Sequence, residues 1–364
     1  MASHFVALSD LHLGYDNSVL NDSVAQVHLA ITIAELCNGA TDRLILNGDT
    51  FEGCVPRDPG ATDASGFNPF MHICAQGFFN ALLSHIAIKE LIFVWGNHDY
   101  SLWKKLAHSC GVSMFTGHTK NDVLLQRSGS DHPGATTFLD ALIGPQRDKL
   151  TTIRSAYPNY ILGHDYPYLA FHHGHFLDNL VLGQDPEIEY VGLSALTGIG
   201  RPKVNVNGDE TVWSLYDKTE AFVAATWEPN SRARTLEWAM MRRMQPKTTQ
   251  CFYYPSSPAP SSQPVDLVEP FNNTLGKNAL WYANLLMVDD TTPAPIGPID
   301  SPAYLFLGHD HLGGFKDFTA MDNRPWRAVN TGGWTNDGGE PHVHGHATVW
   351  PENANGPLVH CVRV

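Results

Sequence analysis

Short apolar runs that stop abruptly at a polar or glycine-bearing turn recur along the chain. His4 to Leu8 runs into Ser9-Asp10-Leu11-His12, Arg43 to Asn47 into Gly48-Asp49, and Leu91 to Trp95 into Gly96-Asn97-His98-Asp99. Runs this short, bounded by turn residues, predict buried strands. Between the first two, Val24, Val27, Ile31 and Ala34 recur at helical spacing after an Asn21/Asp22 cap and before Gly39. Leu29, Ile33 and Leu36 widen that apolar face, so 22–37 predicts a helix packed on a sheet. A second apolar segment, about 70–86, predicts another helix. The strand, helix, strand, helix, strand order implies a doubly wound sheet with right-handed crossovers.

Beyond residue 111 the pattern changes to short β-like runs such as Val123-Leu124-Leu125 and Tyr168-Leu169-Ala170-Phe171. They suggest a second sheet packed on the first. Residues 179–300 differ again. The segments 209–227 and 231–245 have helical periodicity, with Ala233, Leu236, Met240, Met241 and Met244 on one face. A linker holding Pro255, Pro258, Pro260 and Pro264 follows, then an apolar helix near 274–288 and a second proline-rich link from Thr291 to Pro298. Strand patterns return at 303–307, 326–330, 344–349 and 357–363. The expected organisation is a core made of 1–178 and 301–364, with 179–300 inserted over it as a lid.

Five turns carry the chemistry: the three above, His172-His173-Gly174-His175 and Gly308-His309-Asp310-His311. Pooled, they offer Asp10, His12, Asp49, Asn97, His173, His309 and His311, a mixed oxygen and imidazole set without thiolate. Such donors suit first-row divalent ions (Mn, Fe or Zn), and seven are too many for one closed tetrahedral site but enough for two open ones. Two ions ~3.5–4 Å apart can clamp the attacking and leaving oxygens of an in-line displacement at phosphorus and acidify a water between them. Asp49, freed by Gly48 before it, is the expected bridge. His98 is the candidate to stabilise phosphoryl oxygens or protonate the leaving group, and Asp99 the candidate to orient its imidazole.

Composition narrows the partners. The chain has 364 residues, 43% hydrophobic and 16% charged, with a formal net charge of -14. That charge argues against non-specific nucleic-acid binding and against an anionic membrane surface. Six scattered cysteines form no CxxC, which in a chain this size predicts free thiols in a reducing compartment. No leader pattern and no apolar stretch of about 18 residues is evident, so a cytoplasmic location without a transmembrane segment is the expectation.

The ordered set Asp-x-His, Gly-Asp-x-x-Glu, Gly-Asn-His-Asp, His-Gly-His, Gly-His-x-His resembles the calcineurin-like metallophosphoesterases and spans residues 10–311. The resemblance implies a four-layer αββα sandwich of two mixed sheets, in the α/β (α+β) class, with a partly helical lid. It places Asp10, His12, Asp49 and His311 on one metal and Asp49, Asn97, His173 and His309 on the other. It selects His173 over its neighbours because a glycine follows, leaves His175 to line the site, and makes His98 and Asp99 the catalytic pair. Ser9-Asp10-Leu11-His12-Leu13 and Gly48-Asp49-Thr50-Phe51-Glu52 look most like the UDP-diacylglucosamine pyrophosphohydrolases, which are shorter and usually carry His-Gly-Asp in the fourth motif.

The expected function is hydrolysis of a phosphodiester or diphosphate bond in a small or amphipathic molecule, by attack of a metal-bridging hydroxide. Arg232 and Arg234, in a locally basic stretch of the insertion, are candidates for docking a substrate phosphate. Alternatives on the same scaffold are a nuclease, a phosphomonoesterase or protein phosphatase, and a non-catalytic metal-binding scaffold protein. Oligomeric state has no signature in the sequence. His164 and Asp165, and Asn330 to Trp334, are read as structural, and the alternating His342, His344 and His346 as an exposed strand face.

Overall fold

The strands of this protein gather into two mixed sheets in a computed structural model. It describes residues 3–53, 61–64, 66–109, 139–157, 159–162, 168–177, 261–264, 274–288, 302–309, 311, 314–321, 323–335, 344–351 and 355–364. The first sheet runs β1 (Ser3–Leu8), β2 (Ala40–Asn47), β3 (Ala87–Val94) and β4 (Thr152–Ala156), all parallel. The second begins with β5 (Asn159–Leu162) and β6 (Leu169–His172). The later strands are β7 (Ser261–Pro264), β8 (Ala303–Leu307), β9 (Gly314–Thr319), β10 (Pro325–Asn330), β11 (His344–Pro351) and β12 (Leu358–Arg363). Seven strands pair in the order β4-β3-β2-β1-β11-β12-β7 and five in the order β5-β6-β8-β10-β9. Four helices are used below: α1 (Ser23–Leu36), α2 (Pro69–His85), α3 (Tyr100–Ser109) and α4 (Thr274–Val288).

Alternation along each strand builds the layers. In β1, β2 and β3, Val6, Leu8, Leu44, Leu46, Leu91 and Phe93 join the cluster that includes the helices, while Phe5, Ala7, Ile45, Ile92 and Val94 turn to the opposite face. There they meet Leu169, Phe171, Tyr304, Phe306 and Val329 of the second sheet. Phe5 lies edge-on to Phe171 and Phe306, with centroids 5.5 and 5.4 Å away, and those two rings stack at 4.4 Å. α1 and α2 pack together over the first sheet, and α4 packs on β9 and β10 of the second. Its Ala279, Tyr282, Ala283 and Leu286 are fully buried. The order is therefore helix, sheet, sheet, helix, the sandwich expected from the motifs.

Several local expectations change. The first sheet is not doubly wound: β1 to β4 follow one another in spatial order, so crossovers of one hand put α1 and α2 on one face, and the second sheet takes the other. α1 buries Gln26, Leu29, Ala30, Thr32 and Ile33, while Val24, Val27 and Ile31 are exposed. Polar Gln26 is inside because its Nε2 donates to the carbonyls of Leu20 (2.6 Å) and Cys74 (3.0 Å), tying α1 to α2. Strand β9 pairs along all of β10, although its alternation is weak in the sequence.

Within 179–300, two pieces are built into the sandwich: β7 pairs with β12 and α4 forms the fourth layer. The expected helices at 209–227 and 231–245, Val123 to Leu125, His164, Asp165, His342, Arg232 and Arg234 lie outside the described residues. Cys37 and Cys74 are free and buried. Cys361 is disulfide-bonded, against the expectation of free thiols throughout, which removes one support for a reducing compartment. No helix among the described residues is long and apolar enough to cross a membrane.

Candidate functional site

All five motif turns leave the C-terminal ends of parallel strands: Asp10 after β1, Asp49 after β2, Asn97 after β3, His173 after β6 and His309 after β8. Strand ends of this kind are where open α/β sheets gather ligands. The turns are bonded to one another through main chain. The amides of Asp10 and His12 donate to the carbonyls of Gly48 (3.0 Å) and Asp49 (2.9 Å), and that of Gly308 to His173 (2.7 Å). The amide of Trp334 donates to Asp10 (3.1 Å), and Ser9 Oγ to the Gly332 carbonyl (2.8 Å), so the turn 330–334 braces the first motif.

The backbone of these turns is strained at the candidate ligands. Among the described residues, seven that are not glycine have positive φ. Two are asparagines, Asn38 and Asn323. The other five are Asp10 (52°), His12 (45°), Asp49 (48°), His309 (76°) and His311 (58°), all candidate ligands. Each such residue costs on the order of 1–2 kcal/mol, and it persists only where the surroundings hold it. The left-handed kink lets a strand turn its polar side chain back across the sheet ends toward a common centre. Close approach also needs small neighbours: a Cβ on Gly96 would overlap the Asp49 carboxylate, and one on Gly308 would overlap that of Asp10.

The side chains converge accordingly. His12 Nε2 lies 3.2 Å from His311 Nε2 and 3.8 Å from Asp49 Oδ2. His311 Nε2 is 3.5 Å from Asp10 Oδ1, and His173 Nε2 is 3.0 Å from Asp49 Oδ2 and 3.9 Å from Asp10 Oδ1. The His309 ring stands 5.3 Å from that of His173, and its amide donates to both Asp10 oxygens at 2.9 and 3.0 Å. In three trios, Asp10/His12/His311, Asp49/His173/His309 and His12/Asp49/His98, one donor atom per residue lies within 4.8 Å of the other two. Asn97, whose Oδ1 is buried, lies between Gly96, packed on Asp49, and His98, whose amide donates to Asp49 Oδ1 at 2.8 Å.

The far nitrogen of three imidazoles is fixed. His12 Nδ1 meets Glu52 Oε2 (2.9 Å), His173 Nδ1 the Asn47 carbonyl (3.1 Å) and His311 Nδ1 the Thr335 hydroxyl (2.9 Å). An Nδ1–H given to such an oxygen selects the tautomer whose Nε2 lone pair points at the centre, as metal ligation requires. Charge favours a cation there. Burial alone would raise the Asp49 carboxyl, yet His173, His98 and His12 hold it well below the usual carboxylate range. Burial pulls the His173 imidazole down, yet Asp49 and Asp10 hold it at about 9, so a cation bound at the centre would displace the proton from its Nε2. These buried Asp and His groups could hold metal ions.

Glu52 is a buried residue of this cluster that sequence reasoning used only as a family marker. It is fully buried, and besides His12 it takes His98 Nδ1 at 3.0 Å on both oxygens. Burial raises it, but His98 and His12 prevail and hold it at about 2. Its spacing in Gly-Asp-x-x-Glu was the available signal. Asp99, expected to orient His98, faces elsewhere: its carboxylate accepts the amides of Thr50 (3.1 Å), Phe51 (2.7 Å) and Gly96 (3.2 Å). It clamps the Asp49 turn to the Asn97 turn. Burial and Asp49 push its pKa up to about 7.

His175, expected to line the site, is completely buried behind His173, its ring stacked on Tyr157 (5.9 Å) and its Nε2 3.3 Å from the Tyr157 hydroxyl. Burial and neighbouring imidazoles lower its pKa, so it stays neutral. It presents no surface to a substrate. His346, expected on an exposed strand face, is buried against Gly332 and joins none of the donor trios.

No protein-family model matches the chain, and no curated protein matches it.

Proposed function

We propose that this protein is a dinuclear metal-dependent phosphoesterase of the calcineurin-like kind, hydrolysing a phosphodiester or diphosphate bond in a small or amphipathic substrate. One observation carries the reading: carboxylates of Asp10 and Asp49 and the Nε2 atoms of His12, His173 and His311 converge within hydrogen-bonding or near-contact distances, each imidazole oriented from behind. Asp10, His12, Asp49 and His311 would hold one ion, and Asp49, Asn97, His173 and His309 the other. The donor set, imidazole and carboxylate without thiolate, fits Mn, Fe or Zn. When bound, such ions acidify a water nucleophile and offset the charge of phosphoryl oxygens.

The chain's own residues do the rest. Asp49 separates the two imidazole groups and, through its contact with the His98 amide, fixes the third turn. Glu52 holds the His98 imidazole in one orientation, so that its other nitrogen can donate to a phosphoryl or leaving oxygen. Asp99 keeps both turns in register. Backbone strain at five of these positions is consistent with a site arranged ahead of substrate, where electrostatics and positioning supply most of the rate.

The test is hydrolysis of bis-p-nitrophenyl phosphate and of p-nitrophenyl phosphate by the Mn²⁺-loaded chain, with metal content measured on the same sample. About two ions per chain and diester turnover that vanishes in Asp49→Asn are expected. A preference for the monoester would move the assignment to a phosphomonoesterase. Two bound ions with neither substrate turned over would leave a metal-binding scaffold.

A further inference from the structure

The fourth motif turn is gripped from behind by α4, a helix within 179–300. β6 ends at His172, and beyond it the chain bends at Gly174 (φ +115°) into the short helical turn His175–Leu177. On the sheet side, the His173 carbonyl accepts the Gly308 amide at 2.7 Å. The bend itself is fixed by His172, whose Nδ1 accepts the Gly174 amide at 2.8 Å. A main-chain N–H can only donate, so this bond leaves His172 Nδ1 unprotonated and fixes the ring over the bend. That ring is buried, stacks on His175 (5.4 Å) and meets the ring of Tyr282 at 4.9 Å, tilted by 51°.

Tyr282 belongs to α4. Its hydroxyl donates to Asn159 Oδ1 at 2.8 Å, and Asn159 is the β5 residue paired with His172. One turn earlier, Asn278 Nδ2 donates to the Leu177 carbonyl at 2.7 Å, where the fourth turn ends. Asn278 and Tyr282 are four residues apart and share one face of the helix. Both are buried, and burying an amide or a phenol costs free energy unless it is hydrogen-bonded. Here both groups are spent on the fourth turn and on the strand residue beside it. We propose that Asn278 and Tyr282 are positioning residues for His173, holding its turn so that Nε2 faces Asp49 and setting the geometry of one metal position. This rests on the phosphoesterase reading above.

Calorimetric titration of the metal-free full chain with MnCl₂, beside urea unfolding, tests it. Wild type should bind two ions. Asn278→Ala and Tyr282→Leu should bind one of them about tenfold more weakly, the low end of what losing a contact behind a ligand costs, and keep the other. The weakened ion should be the one that His173→Ala loses. Tyr282→Phe, which keeps the ring on His172, should restore most of the affinity. Leu286→Ala, which removes apolar packing one turn further along α4, should lower the urea midpoint and leave both ions in place. If Tyr282→Leu does not fold, Asn278→Ala decides alone. Unchanged affinities in the folded variants, or equal weakening in Leu286→Ala, would overturn the proposal; the latter would make α4 a support for the sandwich only. If wild type binds no Mn²⁺ and hydrolyses neither p-nitrophenyl ester, the phosphoesterase reading itself fails, and the positioning role with it. Two ions held alike by wild type and variants sink the α4 role alone.

Discussion

The same strands end in two buried regions built on opposite terms. Between the sheets, Phe5, Phe171 and Phe306 pack ring against ring, and no residue of that cluster has positive φ. A few residues further along, Asp10, Asp49, His12 and His173 are just as thoroughly buried, yet they are polar, and three of them are left-handed. The first region gains free energy by removing apolar surface from water. The second is held in place by main-chain bonds between turns and by the first, and it concentrates four carboxylates and several imidazoles where water is scarce. A stable sandwich is what allows an intrinsically unfavourable cluster to persist beside it.

That division can be broken from either side. The largest effect is expected from Asp49→Asn, which removes the carboxylate shared by two of the imidazole trios: kcat should fall on the order of 10³-fold, the several kcal/mol attributed to metal-ion catalysis. Circular dichroism should still report a folded chain; unfolding instead would show that the cluster supports the sandwich. Phe171→Ala should do the reverse. It leaves a cavity between the sheets and lowers stability by about 3–5 kcal/mol in urea unfolding, while the metal stoichiometry of the folded fraction is unchanged.

Glu52→Gln sharpens the comparison within the polar region, since the carboxamide keeps the shape but loses the charge that orients His12 and His98. Activity or metal affinity should drop about 10–100-fold, the usual effect of losing an outer hydrogen bond to a ligand; equal kinetics for the variant would remove Glu52 from the site. The smallest effect concerns His360, on β12. Burial lowers its pKa from the ordinary 6.5, so the unfolded chain takes up a proton more readily than the folded one. Its contribution to stability is full above about 6.5 and declines as pH falls below that value. Urea midpoints at pH 7.5 and 5.5 should therefore converge slightly in His360→Gln relative to wild type.

Much of the site was legible before the fold because a polar turn after an apolar run is a local signal. Asp10, Asp49 and Asn97 each follow a strand that alternation alone locates to within a few residues. Glu52 and Asp99 were harder. Both are acids one to three residues from a candidate ligand, and nothing local says which imidazole or amide each will meet. Glu52 takes the orienting role expected of Asp99 because the main chain at Thr50 and Phe51 presents its amides to Asp99, which leaves Glu52 to face His12 and His98. The α1 face failed for a related reason: the helix is apolar around most of its circumference, so spacing cannot choose between the Val24/Val27/Ile31 stripe and the Leu29/Ile33 stripe. Contact with α2 and the Gln26 hydrogen bonds choose it.

What the sequence determined by itself is therefore the set of short-range facts: which runs become strands, where the turns fall, and which donor types those turns carry. Those follow from backbone alternation and from the residues flanking each run. The tertiary structure alone decided that five distant turns share one end of two facing sheets, that β7 and α4 belong to the sandwich, and which carboxylate orients which imidazole. Such pairings join residues up to about three hundred positions apart, as between Asp10 and His309. They depend on how strands order themselves in space, a property of whole-chain packing that no local window contains.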